Sequence, residues 1–147
     1  MWQYILMTVG GFLTSAGAAL LFEVPVRQSL ICGIIGILSC VVNLTAGAAS
    51  FPTVISTFLA TLLVALLSNI AARIEKMPVT VFLIPCIFPF VPGAGMYRIV
   101  YSLIENRQQD AIMYFFQTME IAGAIALSVF FVDTLFRKGV KVHTKCT

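Results

Sequence analysis

Charge is what this sequence has least of. Only 10% of its 147 residues are Asp, Glu, Lys or Arg, against about 25% in ordinary soluble domains. So few polar groups cannot cover a water-soluble core, and a 60% apolar content excludes a disordered chain. Histidine is nearly absent: His143 stands alone, so no multi-His metal site or His-based triad forms within the chain. The cysteines Cys32, Cys40, Cys86 and Cys146 make no CxxC pair. Three of them lie in apolar runs, where Cys behaves as a small hydrophobe, so no metal, haem or disulfide framework is expected. No phosphate loop occurs, and Gly93-Ala94-Gly95 lacks the third glycine and strand context of a dinucleotide fingerprint. No acid, base and nucleophile converge within the apolar runs, so neither an enzyme nor a cofactor is expected. The net charge of +3 owes much to Arg137, Lys138, Lys141 and Lys145 near the C-terminus. There it reads as an orientation signal for a membrane, not as a nucleic-acid surface.

Long apolar runs are what the chain does have, and its mean hydropathy is +1.01. A helix needs about 20 apolar residues to cross a hydrocarbon core of about 30 Å, so there is room for four to six crossings. The expected fold is an all-α integral membrane protein with about five transmembrane helices, near Trp2–Phe22, Gln28–Ala49, Pro52–Ala72, Pro78–Ile104 and Ala111–Phe136. The first run exceeds a signal-peptide core and has no basic stretch before it, so it is expected to be retained. The organisation expected is a transmembrane domain over 1–136 and a solvated, mobile basic tail over 137–147. Five crossings put Arg27, Arg73, Lys76, Arg137, Lys138, Lys141 and Lys145 on one side, leaving only Arg98 and Arg107. Basic loops stay cytoplasmic, so the N-terminus is expected outside and the C-terminus inside. Small residues recur at fourfold spacing, as Gly11, Ser15 and Ala19 and as Ser56, Ala60, Val64, Ser68 and Ala72, a pattern that lets helices approach closely in lipid.

The fourth run is broken. Pro85, Pro89 and Pro92 with Gly93 and Gly95 cannot all lie in one regular helix, because each proline removes a donor and crowds the carbonyl four residues back. Hydrocarbon tolerates freed backbone groups only where they are buried in protein or line a wet cavity. A second half-helix is expected to start near Ala94 or Gly95, with Tyr97 and Arg98 in its first turn. Its N-terminal amides and Arg98 would then suit an anionic group. The bland reading is a kink with Arg98 snorkelling to the interface, or an external loop. Pro89, Pro92, Gly93, Ala94, Gly95, Tyr97 and Arg98 are therefore candidate substrate-binding residues.

The same stretch, Pro89-Phe90-Val91-Pro92-Gly93-Ala94-Gly95-Met96-Tyr97-Arg98, resembles the P-L-V-P-G-x-x-x-Y-R segment of the threonine/serine exporter family. Phe22-Glu23-Val24-Pro25-Val26-Arg27 and the Phe58…Ala71-Ala72-Arg73…Pro78 stretch are similar to that family's small-subunit type. The resemblance covers about residues 20–105. It implies an inner-membrane exporter of small amino acids driven by the proton-motive force, working with a larger subunit of the same family. Related two-chain systems imply dicarboxylates such as succinate as an alternative substrate. A non-transporting stabilising subunit is a further alternative, and a homo-oligomer is possible on this reading.

Glu120 lies about 15 Å along a helix from Asp110, at a depth where a carboxylate is expensive and usually faces the bundle interior. It shares a face with Gln117 and Ala124. Two roles stand open for it: proton coupling or substrate-amine binding, with Arg98 as a candidate partner, or a structural ion pair or hydrogen bond. Asn43 in the second run is a candidate substrate ligand or an interhelical bridge, and Asn69 in the third reads as a bridge.

Overall fold

The computed structural model describes residues 2–143, with side chains over 6–136. Six α-helices and one 3-10 turn, and no strand, occur among the described residues. Helix α1 covers Trp2–Leu21, α2 Val26–Ala48 and α3 Thr53–Glu75. Helix α4 covers Thr80–Ile87, the 3-10 turn Phe88–Phe90, α5 Gly93–Ile104 and α6 Gln108–His143. Pro25, Pro52 and Pro92 stand immediately before α2, α3 and α5, where the ring presets the backbone and no helical donor is lost. The chain reverses through Glu23, Ser50, Lys76 and Asn106, each at positive φ (57°, 61°, 53° and 58°). The backbone of α6 continues to His143. The side chains of Arg137, Lys138, Lys141, His143, Lys145 and Cys146, on which the basic-tail reading rests, lie outside the described residues.

Helices α2, α3 and the Gln108–Phe136 part of α6 are each long and apolar enough to cross a bilayer. The stretch Thr80–Phe90 with Gly93–Ile104, bent by 46°, is a fourth candidate. The structure thus holds three to four candidate spans against the five expected from sequence, because the apolar stretch of α1 with described side chains, Leu6–Leu21, is shorter. Pro85 also departs from expectation. It is accommodated inside α4 with its ring fully buried, and the regular path fails only at Phe88–Pro92.

Direction along the bundle follows from the contacts. On α1 and α2, Phe12 meets Gly33, Ser15 meets Gly36, and Gly11 meets Cys40, so the two helices run antiparallel. Gln28 Nε2 donates to Glu75 Oε2 at 3.4 Å, which places the start of α2 at the end of α3. Helices α3 and α6 are parallel: Ser128 Oγ donates to Thr61 Oγ1 at 2.8 Å, and the Arg73 guanidinium lies 4.8 Å from the Phe136 ring centre. The pair α4–α5 runs back in the opposite direction, α4 packed on α3 and α5 on α6, with Asn69 and Asp133 beside Thr80 at one end and Gln108 beside Leu103 at the other.

Small residues predominate in the interior, around buried Phe82 and Phe90. Ala19, Ala60, Ala65, Ala72, Ser15, Ser39, Ser68 and Ser128 are buried, whereas Leu21, Ile74, Ile104 and Phe130 face outward. Lipid tails are as apolar as leucine, so helices gain by close backbone approach and not by hiding large side chains. At Gly36 it is backbone that stands in the way. A Cβ there would sit 2.8 Å from the Gly11 carbonyl oxygen and collide with Ser15 Oγ. Gly36→Ala is expected to destabilise the protein by about 1–3 kcal/mol, the usual cost of overpacking. Gly17→Ala, at a position with open space around it, should be neutral. Thermal unfolding of both variants in the same detergent checks this.

Candidate functional site

The break between α4 and α5 opens on a cavity of about 470 Å³, within the range of small-molecule sites, about 300–1,000 Å³. Its walls come from three places: Thr53 and Val54 at the start of α3; Pro92, Ala94, Gly95 and Arg98 at the break; and Tyr114, Gln117, Thr118, Glu120 and Ile121 on α6. Gly95 allows this closeness, since a Cβ there would strike Thr118 Oγ1. That hydroxyl is held by donating to the Tyr114 carbonyl at 2.7 Å. The cavity is level with the first turn of α3. It therefore lies toward the end opposite Arg27 and Glu75, which approach to 4.0 Å, and not at the middle of that helix.

Backbone donors reach this cavity. Of the first four amides of α5, Gly93 donates to Val91 O at 2.7 Å and Met96 to Pro92 O at 3.1 Å. Those of Ala94 and Gly95 have no backbone acceptor among the described residues, and no side chain caps the helix. Both residues line the cavity. Because α5 starts at Gly93, Arg98 falls in its second turn, slightly deeper than the first-turn position expected from sequence. Its guanidinium stands 5.8 Å from the Tyr114 ring centre. Arg98 and Glu120 share the cavity, yet no ion pair joins them or ties either to another described residue. Arg107, by contrast, pairs with Glu105 and, at 3.7 Å, with Asp110 at the α5–α6 turn.

Not every candidate gathers here. Pro89 and Asn43 line a neighbouring cavity of about 260 Å³ with Gly11, Thr14 and Phe90. Tyr97 is 69% exposed and stacks on Tyr101, ring centres 6.0 Å apart. Gly93 starts α5 without lining the larger cavity. Sequence reasoning missed Thr53, Tyr114 and Thr118. Thr118 follows Gln117 directly, and Tyr114 lies three residues before it on the same helical face, so the spacing of α6 held that signal. Thr53 reaches the site only through the parallel packing of α3 on α6. Asn69 is buried and its Nδ2 donates to the Ala65 carbonyl at 2.9 Å within its own helix, so that side chain is not an interhelical amide bridge.

Comparison with known proteins bears on this arrangement. No curated protein and no solved structure matches the chain. The family described as Threonine/Serine exporter, ThrE, matches residues 7–135. That range holds the broken segment, all the lining residues and most of the 147-residue chain, so this multi-pass membrane protein belongs to the threonine/serine exporter family, whose members are transporters and not enzymes.

Proposed function

We propose that this chain is a subunit of an inner-membrane exporter for small hydroxylated amino acids, with the solute held in the cavity at the α4–α5 break. The observation that carries the reading is the meeting, in one cavity, of two backbone amides, an arginine and a carboxylate that have no acceptor, acid or basic partner among the described residues. A zwitterion complements that set. Its carboxylate accepts from the Ala94 and Gly95 amides and from Arg98, where the helix N-terminus adds partial positive charge. Its ammonium meets Glu120, and Thr53, Gln117 and Thr118 offer polar atoms to a side-chain hydroxyl. Pro92 shapes the turn that presents the amides, with Gly93 at the first helical position. Pro89, Tyr97 and Asn43 act outside the direct contact, the first from within the 3-10 turn that follows the end of α4 and Asn43 from the cavity it shares with Pro89.

The topology proposed is five traverses: α1, α2, α3, the broken α4–α5 pair and α6. The antiparallel packing of α1 on α2 and the parallel packing of α3 and α6 support it, since an odd number of crossings sets both termini at opposite ends. Arg27, Arg73 and Lys76 then share one end, which the positive-inside tendency makes cytoplasmic. The cavity faces the other way. Export proceeds by alternating access, with α5 and the first part of α6 rocking against α3 about the Pro89–Pro92 break. Glu120, the acid of this cavity, takes a proton from the outside and yields it inside, coupling efflux to the proton-motive force. A larger family subunit completes the exporter.

Proteoliposomes holding this chain, with and without that larger subunit, test the reading through efflux of labelled L-serine under an imposed proton gradient. Arg98→Gln should lower efflux at least tenfold, as loss of one charge-assisted hydrogen bond costs about 1.5–3 kcal/mol. Wild-type export by that variant overturns the carboxylate assignment. Glu120→Gln should abolish gradient-driven efflux while serine–serine exchange persists. Efflux that still follows the pH gradient removes Glu120 from coupling. Serine efflux by the larger subunit without this chain would leave it a stabilising role.

A further inference from the structure

At the other end of the α3–α6 interface lies a second cavity, also about 470 Å³, whose chemistry the reading above leaves unused. Asn69 enters it from α3, Thr80 from α4 and Asp133 from α6, among apolar walls that include Leu83, Val129 and Phe130. Asn69 Nδ2 is committed to the Ala65 carbonyl at 2.9 Å, which fixes the amide and leaves Oδ1 as the acceptor. Arg73 stands one turn beyond Asn69 on α3, and its guanidinium is parked 4.8 Å from the ring of Phe136, three residues after Asp133 on α6. Among the described residues, neither Arg73 nor Asp133 forms an ion pair. The nearby Arg27 and Glu75, at 4.0 Å, show that opposite charges at this end do approach when geometry permits.

The two ends of the interface thus carry the same set of groups. Each has an arginine resting on an α6 aromatic (Arg98 on Tyr114, Arg73 on Phe136), an α6 carboxylate (Glu120, Asp133), a carboxamide (Gln117, Asn69) and a threonine hydroxyl (Thr53, Thr80). Glu120 and Asp133 lie about 20 Å apart along α6. Between them the interface is closed by the 2.8 Å Ser128–Thr61 hydrogen bond and by buried Val64 and Val132. Arg98 lines its cavity, whereas Arg73 stands one turn beyond the lining at the other end; an acid in the cavity and a base at its edge, neither paired among the described residues, with an amide and a hydroxyl beside them, complement a zwitterion.

We propose that Asp133, Asn69, Thr80 and Arg73 form a second binding site for a small α-amino acid at the basic end of the bundle. Asp133 and Asn69 Oδ1 accept from the solute ammonium, Arg73 donates to its carboxylate, and Thr80 meets a side-chain hydroxyl. The solute occupies this site before it reaches the cavity at Arg98 and Glu120. The proposal rests on the exporter reading for the identity of the solute, and not for the existence of the site.

Equilibrium binding of labelled L-serine to the full chain in lipid nanodiscs tests it. Wild type should bind two molecules per chain. Asp133→Asn, Arg73→Gln and Arg98→Gln should each bind one, the retained molecule showing that the variant is folded. Glycerate, without the ammonium, and ethanolamine, without the carboxylate, should compete at least tenfold more weakly than serine. One molecule per wild-type chain, lost in Arg98→Gln and kept in Asp133→Asn, overturns the second site and leaves the exporter reading standing. One molecule lost in Asp133→Asn and Arg73→Gln but kept in Arg98→Gln supports the second site and sinks the assignment of the first. Loss of all binding in both Asp133→Asn and Arg73→Gln overturns separate sites, and no binding to wild type overturns both.

Discussion

A backbone N–H without an acceptor costs several kcal/mol in hydrocarbon, and everything distinctive about this molecule follows from where it leaves such groups. Apart from the α4–α5 segment, the apolar runs are continuous helices whose amides bond within themselves. At Phe88–Pro92 the chain gives up that economy, and the amides of Ala94 and Gly95 emerge without backbone acceptors. Both residues line the cavity. Thr53, Gln117, Thr118 and Glu120 stand around them, drawn from helices distant in sequence. A break of this kind is stable only with a polar wall opposite, so the Pro/Gly segment and the polar positions of α3 and α6 depend on each other.

The wall in turn depends on how α3 meets α6. Thr57, Thr61, Ser68 and Asn69 are buried on α3, and Ser128 on α6. Most of these hydroxyls donate to carbonyls in their own helix, as Thr57 does to Thr53 O and Thr61 to Thr57 O, both at 2.8 Å. Only Ser128 bonds across the interface. Such a seam is held by close packing of small groups more than by directed bonds, and interhelical hydrogen bonds in lipid average only about 0.6 kcal/mol. Shallow, small-residue contacts permit one helix to shift against another at low cost, which is what a rocking element needs.

Composition made the membrane class legible, because 10% charge leaves no alternative surface. The break was legible too, since Pro89, Pro92, Gly93 and Gly95 conflict with helix geometry wherever they are placed. What failed were inferences that need a partner helix. Pro85 looked like part of the break, but burying its ring offsets the one bond it removes from α4. Tyr97 looked like a ligand, but helical phase from Gly93 groups Ala94, Gly95 and Arg98 and turns Tyr97 outward. Asp133 sits near the end of an apolar run, where a carboxylate passes for an interfacial charge. Only Asn69 and Thr80, brought beside it by α3 and α4, give it a setting.

The placing of the arginines on rings carries a final consequence. A buried arginine bound to its own carboxylate is neutralised, and a solute must break that pair before it can bind. Resting on an aromatic face stabilises the cation by only about 0.5–1 kcal/mol at exposed sites and leaves its donors largely free. Arg107, locked by Asp110 at 3.7 Å and by Glu105, is spent on the α5–α6 turn. Arg98 and Arg73 instead rest against Tyr114 and Phe136, and neither has an acid partner among the described residues. In the proposed exporter a site built this way is preorganised for an anion and relinquishes it readily, because the ring takes the cation back when the solute leaves. Tight ion pairing would give a more rigid protein and a slower carrier.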